Sequence, residues 1–229
     1  MAIIWRKNAF FFHTVSALFI IGLLPFFLFD KVTFLIMVKQ WHHPIADVIA
    51  PYLTWLGDGL TYGFFVSMIT LLGISCRKIM ITIGSFGCMS IVVQLLKRFF
   101  FIHDLRPILL VPTDANLHIV DGVELLTTLS FPSGHSGTIF ALVSVIQLLV
   151  KKRKKIYSIA LLLLALAVAY SRMYLCQHFY TDVYVGGLIG TVASIVVYLF
   201  CIHFHSVHWL DRSAFFFIMQ HVKNKFIKE

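Results

Sequence analysis

Seven polar side chains stand out because their surroundings are overwhelmingly apolar: Lys97, Arg106, Ser133, His135, Arg172, His178 and Asp182. Groups of this kind beside apolar helices are costly to keep, which makes them functional by default. The chemistry they share is anion handling. Two arginines offer fork-shaped donors and a lysine a point charge, a set suited to the oxygens of a phosphate. The run Phe131-Pro132-Ser133-Gly134-His135 has the marks of a helix N-terminus, with a proline near the first turn and a serine able to cap. Free N–H groups there favour an anion, and Gly134 lets the backbone approach a ligand. His178 and Asp182 stand four apart, so on a helix they share a face, where the carboxylate orients the imidazole and stabilises its cationic form. Such a pair makes a histidine a positioned nucleophile or base. His135 comes from another segment and is free to act as a general acid.

The elements that must hold these groups are membrane helices. Of the 229 residues, 59% are hydrophobic and only 13% charged, with a mean hydropathy of +0.89, more apolar surface than a soluble domain of this size can bury. Disorder, a coiled coil and a nucleic-acid-binding domain are excluded, because the +9 net charge reflects scarce acids (10) rather than abundant bases (19). Cys76, Cys88, Cys176 and Cys201 show no C-x-x-C spacing and read as small hydrophobes. Runs long enough to cross a bilayer fall at 9–29, 58–75, 79–98, 135–150, 156–175 and 183–204. The fold expected is an all-α, polytopic bundle of six transmembrane helices, one domain over 1–229. The first run is an anchor, not a removable signal. Placing the N-terminus inside puts 13 of the 19 bases in the cytoplasm, including the run 151–155, for a net +11 inside and −2 outside. The positive-inside rule then sets both termini in the cytoplasm and all seven polar groups at the outer face. The tail 205–229 reads as an amphipathic helix on the inner surface.

The motifs resemble a known family. Pro132-Ser133-Gly134-His135, then Ser171-Arg172, five residues, His178, three residues and Asp182, resemble the second and third signatures of the type 2 phosphatidic acid phosphatase and vanadium haloperoxidase superfamily. The resemblance covers 97–182. It implies a bacterial membrane lipid phosphatase in which His178 attacks phosphorus to give a phosphohistidine, Asp182 holds that histidine and His135 protonates the leaving oxygen. Lys97, Arg106, Ser133, Gly134 and Arg172 would bind the phosphoryl group. The first signature departs from the pattern: the family usually has six residues between its Lys and Arg-Pro, and here eight separate Lys97 from Arg106-Pro107. On one continuous helix those side chains would point to opposite faces, so the helix must end between them, consistent with the extended bias of the residue before a proline. Arg98 is the rival to Lys97, and the resemblance favours Lys97.

The reaction expected is hydrolysis of a phosphate monoester, or of the terminal phosphate of a diphosphate, on a lipid of the inner membrane, at its periplasmic or outer face. Undecaprenyl diphosphate, phosphatidic acid, phosphatidylglycerol phosphate and lipid A phosphates are the candidate substrates. No cofactor and no metal is expected, because the site is already cationic. The rivals are a lipid phosphotransferase of the same fold and a non-catalytic transporter or scaffold that binds anionic lipid; the latter needs no nucleophile. The loop 99–134 is the expected recognition element. His203, His205 and His208 do not share one helical face and make a poor metal site. Asp114, Asp121 and Glu124 read as solvated loop residues, and His42, His43, His103 and His118 as interfacial ones.

Overall fold

A computed structural model describes residues 2–115, 117–150, 155–203 and 207–213. Residues 151–154 of the basic run, and 205–206 and 214–229 of the expected inner-surface tail, lie outside the described residues. Helices occupy all six expected segments. They are α1 (Ala2–Ile21) with α2 (Leu24–Leu28), and then, after two helices the sequence did not announce, α3 (Lys31–Gln40) and α4 (Pro44–Trp55), come α5 (Gly59–Leu71) and α6 (Cys76–Leu95). A short α7 (Pro107–Leu110) precedes α8 (Gly134–Leu149), α9 (Lys155–Tyr174) and α10 (Tyr180–His203). Four segments are long and apolar enough to cross a membrane, namely Asn8–Leu28, Cys76–Phe100, Lys155–Tyr174 and Tyr180–His203, while α5 and α8 are shorter apolar helices.

The short α8 is the axis of the bundle. Twelve of its 16 residues are buried, and α6, α9 and α10 pack around it. Its closest partner is α10, and glycine sets the distance: a Cβ on Gly186 would fall 2.2 Å from the Ser133 carbonyl oxygen, and one on Gly190 would fall 2.1 Å from the Gly137 oxygen. Small residues four apart let two helix backbones touch, the packing device that membrane helices use in place of the hydrophobic effect. The perimeter is apolar and exposed at Phe27, Leu60, Leu71 and Phe100, a surface that suits lipid and not water.

The first expected span is not one helix. Pro25 has no N–H to donate, and the N–H of Phe26 bonds the Leu23 carbonyl rather than that of Gly22, so the helix breaks into α1 and α2. The Gly22 carbonyl freed by this accepts from the Tyr180 hydroxyl at 2.7 Å, and the Phe19 carbonyl accepts from Tyr184 at 2.8 Å. The segment 30–57, expected as a link, is helical because two side chains start it. Asp30 accepts from Val32 and Thr33 N–H, and His43 accepts from Ile45 N–H.

Candidate active site

Three segments deliver the seven side chains to one end of α8. At the end of α6 the helix loosens into a π-helical turn, Leu96–Phe100, a form found mostly as single turns at functional sites. The chain then leaves the helix, and Arg106 is extended (φ −81°, ψ 161°) in front of Pro107. The unusual spacing of the first signature is thereby accommodated: Lys97 is buried at 8% exposure and Arg106 at 6%, whereas Arg98 is exposed. The Lys97 ammonium donates to the carbonyls of Leu129 (2.5 Å) and Ser130 (3.4 Å). Arg106 Nε donates to the Thr128 carbonyl (2.9 Å), and its Nη1 to the backbone and side-chain oxygens of Gln177 (3.1 and 3.0 Å). The two ends of the loop 99–134 are tied together by Arg106 N–H to Thr127 O and Ser130 N–H to Asp104 O.

Ser133 caps α8, accepting from Ser136 N–H at 3.4 Å. Its own N–H donates to the Asp182 carbonyl at 2.9 Å, which locks the start of α8 to the first turn of α10. No atom lies within 4 Å of where a Cβ on Gly134 would stand, so the backbone here is open to a ligand. His135 follows on the first turn, with a side chain 30% exposed.

The geometry of the His178–Asp182 pair differs from the expectation. His178 precedes α10 in irregular backbone instead of sharing the helix with Asp182, yet Nδ1 lies 3.4 Å from Asp182 Oδ2 and both side chains are 2% exposed. Asp182 is the third residue of α10, and its carboxylate reaches back to the Phe179 N–H at 3.0 Å, half of a capping box. That return brings His178 to it. Ser130 donates to the same Oδ2 at 2.5 Å, and Thr181 donates to Oδ1 at 3.1 Å. Protonation of His178 also departs from the expected cation. Burial, then the positive charges of Arg172, Arg106 and Lys97, hold it well below its ordinary range, because one carboxylate does not offset three cations and the loss of water. This favours the neutral ring, whose Nε2, opposite Asp182, keeps a lone pair.

Arg172, in the last turn of α9, is 7% exposed. Its Nη1 donates to the Thr54 hydroxyl at 2.7 Å, while its buried Nε has no partner among the described residues. Lys39 is buried and donates to the Tyr174 carbonyl at 2.5 Å, securing the C-terminus of the helix that carries Arg172. The arrangement is therefore a neutral, buried imidazole facing three buried cations and an open helix N-terminus. Within this group Asp182 is the one buried carboxylate, so Lys97, Arg106 and Arg172 outnumber it by two, and buried charge calls for a counter-charge.

Ser130, Thr54 and Gln177 hold Asp182, Arg172 and Arg106, and sequence reasoning missed all three. Only Gln177 had a usable signal, its position beside His178. His118 was expected to be interfacial; it pairs with Asp47 at 2.9 Å and stacks on His42, pinning the loop 99–134 to the start of α4. His43 is the cap of α4. Cys76, Cys88, Cys176 and Cys201 are free thiols. Among the described residues no group of three or more His, Cys, Asp or Glu is placed to hold a metal ion.

A family model described as the PAP2 superfamily matches residues 78–204, more than half of the chain. The solved structure of Aquifex aeolicus LpxE resembles this one with a TM-score of 0.63 at 25% sequence identity, covering 74% of this chain and 95% of that one. No curated protein sequence matches the chain.

Proposed function

The chain belongs to the PAP2 superfamily, and from that premise we propose that it is a membrane lipid phosphatase working through a phosphohistidine. The observation that carries the proposal is the charge imbalance around His178: three buried cations against one buried carboxylate leave room for a dianion, the charge of a phosphate monoester. The phosphoryl oxygens would take Lys97, Arg106, the free Nε of Arg172, the Ser133 hydroxyl and the Gly134 N–H. Nε2 of His178 attacks phosphorus, its lone pair forming the N–P bond while the P–O bond to the lipid breaks and leaves its electron pair on oxygen. His135 gives that oxygen its proton, and the neutral His135 then removes a proton from the water that hydrolyses the phosphohistidine. The cations supply the transition-state stabilisation, so no metal is required. The six helical segments cross the inner membrane of a bacterium with both termini in the cytoplasm and the site on the outer side, open to a lipid whose tails stay in the bilayer. Phosphatidic acid, phosphatidylglycerol phosphate, undecaprenyl diphosphate and lipid A are the substrates to try.

The test is phosphate release by the purified protein in detergent from that panel, with trapping of an acid-labile phosphoenzyme. Turnover of at least one lipid, and loss of both turnover and phosphoenzyme in His178→Ala, is the expected result. Turnover that survives His178→Ala would refute the mechanism. Phosphate appearing on a second lipid, in place of free phosphate, would make the protein a phosphotransferase.

A further inference from the structure

The turn between α4 and α5 presses on the first turn of α8: a Cβ on Gly57 would lie 2.8 Å from the carbonyl oxygen of His135 and 3.0 Å from its Cβ. The next residue, Asp58, does two things. Its Oδ1 accepts from Leu60 N–H at 2.8 Å and caps α5, and its Oδ2 faces His135 Nε2 across 3.9 Å. Both side chains line a pocket of about 200 Å³ that also takes in Ser90, Gln94, Gly134 and Thr138. Burial first, and then the positive charges of Arg172, Arg106 and Lys97, work against a proton on His135, and Asp58 is the one group that works for it. A general acid has to hold a proton until the leaving oxygen needs it. Amid three cations, a carboxylate at ion-pair distance is the group that favours that state.

We propose that Asp58 is the positioning residue of His135, orienting its ring and favouring the imidazolium whose proton passes to the leaving oxygen. The site then contains two carboxylate–histidine pairs with opposite tasks. Asp182 is buried and orients a neutral nucleophile, while Asp58 is 44% exposed, so it and His135 stay in reach of the water from which the acid recovers its proton. Asp58 forms and breaks no bond itself. The proposal rests on His135 being the general acid, and the experiment is arranged so that the two can fail separately.

Asp58→Asn removes the charge and keeps an oxygen able to cap α5, since asparagine caps as well as aspartate does; thermal unfolding in detergent verifies the fold. Rates are compared on short-chain phosphatidic acid, whose alkoxide needs a proton, and on p-nitrophenyl phosphate, whose leaving group does not. Asp58→Asn is expected to lower kcat on the first by about ten- to a hundredfold, with KM within about twofold, and on the second by less than about threefold. The alkaline limb of its pH–kcat profile moves to lower pH, Asp58→Glu restores part of the rate, and adding Asp58→Asn to His135→Ala costs less than about twofold more. If His135→Ala shows the leaving-group dependence but Asp58→Asn lowers both rates equally, or leaves the alkaline limb in place, Asp58 has no such role. If His135→Ala itself slows both substrates equally, the general-acid assignment falls and takes this proposal with it.

Discussion

Lys97 and Arg98 are neighbours at the end of α6, and replacing each in turn tests the register of the first signature. Consecutive helical residues point about 100° apart, and the π-helical turn sends Lys97 inward and Arg98 outward. In Lys97→Met the buried stem is retained and the charge is lost. Two ammonium hydrogens already serve the Leu129 and Ser130 carbonyls, and an ammonium has three, so one is free for a phosphoryl oxygen. Removing a charged donor from a site where charge develops costs about 3–4 kcal/mol, and a charge-assisted bond to a carbonyl contributes about 1.5–3 kcal/mol. These overlap, because the carbonyl bonds hold the segment whose Ser130 steadies Asp182. Taking about 3 kcal/mol for the whole, kcat/KM falls roughly 150-fold. Arg98 has a water-facing or headgroup-facing guanidinium, and Arg98→Ala should change the rate less than about fivefold. The assay is phosphate release from micellar lipid, with thermal unfolding to show that both variants fold. A crippled Arg98→Ala beside a tolerated Lys97→Met would refute the reasoning and exchange the two roles.

Three further outcomes are expected. Activity survives a strong chelator and is inhibited by vanadate; loss that magnesium restores would show that acidic side chains and a cation complete the site. Gly186→Ala puts a methyl group against the Ser133 carbonyl and should cost about 2–3 kcal/mol of overpacking, read as a Tm lower by roughly 5–10 °C. Gly63→Ala, where a Cβ would meet nothing within 4 Å, leaves Tm unchanged or slightly higher. A reporter active only in the cytoplasm should work when fused after Glu229 and fail when inserted near Asp114; the reverse pattern would turn the protein over in the membrane.

What the sequence showed and what it hid follow from the range of each signal. Hydropathy is additive along the chain, so six apolar segments were visible, and the motif residues were visible because their types are rare in such surroundings. The helices α3 and α4 were hidden because their start signals, Asp30 and His43, stand between residues of mixed polarity in segments too short to span a bilayer. The break at Pro25 was concealed by the continuous apolar run around it. Thr54, Ser130 and Gln177 are common residue types whose partners lie far along the chain, 118 residues away for Thr54 and Arg172, and no local spacing announces such a bond. The neutral state of His178 could not be read from an i, i+4 pair either, since it depends on burial and on cations from other segments.

The contact of Gly186 with Ser133 and of Gly190 with Gly137 makes backbone, not side chain, the spacer between α8, which carries His135, and α10, which carries Asp182. Side chains at an ordinary interface can change rotamer and let helices slide when the bilayer thickens or thins; carbonyl oxygens seated against Cα atoms have no such slack. In a bilayer of mismatched thickness, strain would therefore fall on the periphery, on the broken first segment and the short α5, where tilting costs little. Under the proposed mechanism, the spacing between the helix that carries His135 and the one that carries Asp182 would then stay the same from one bilayer to another.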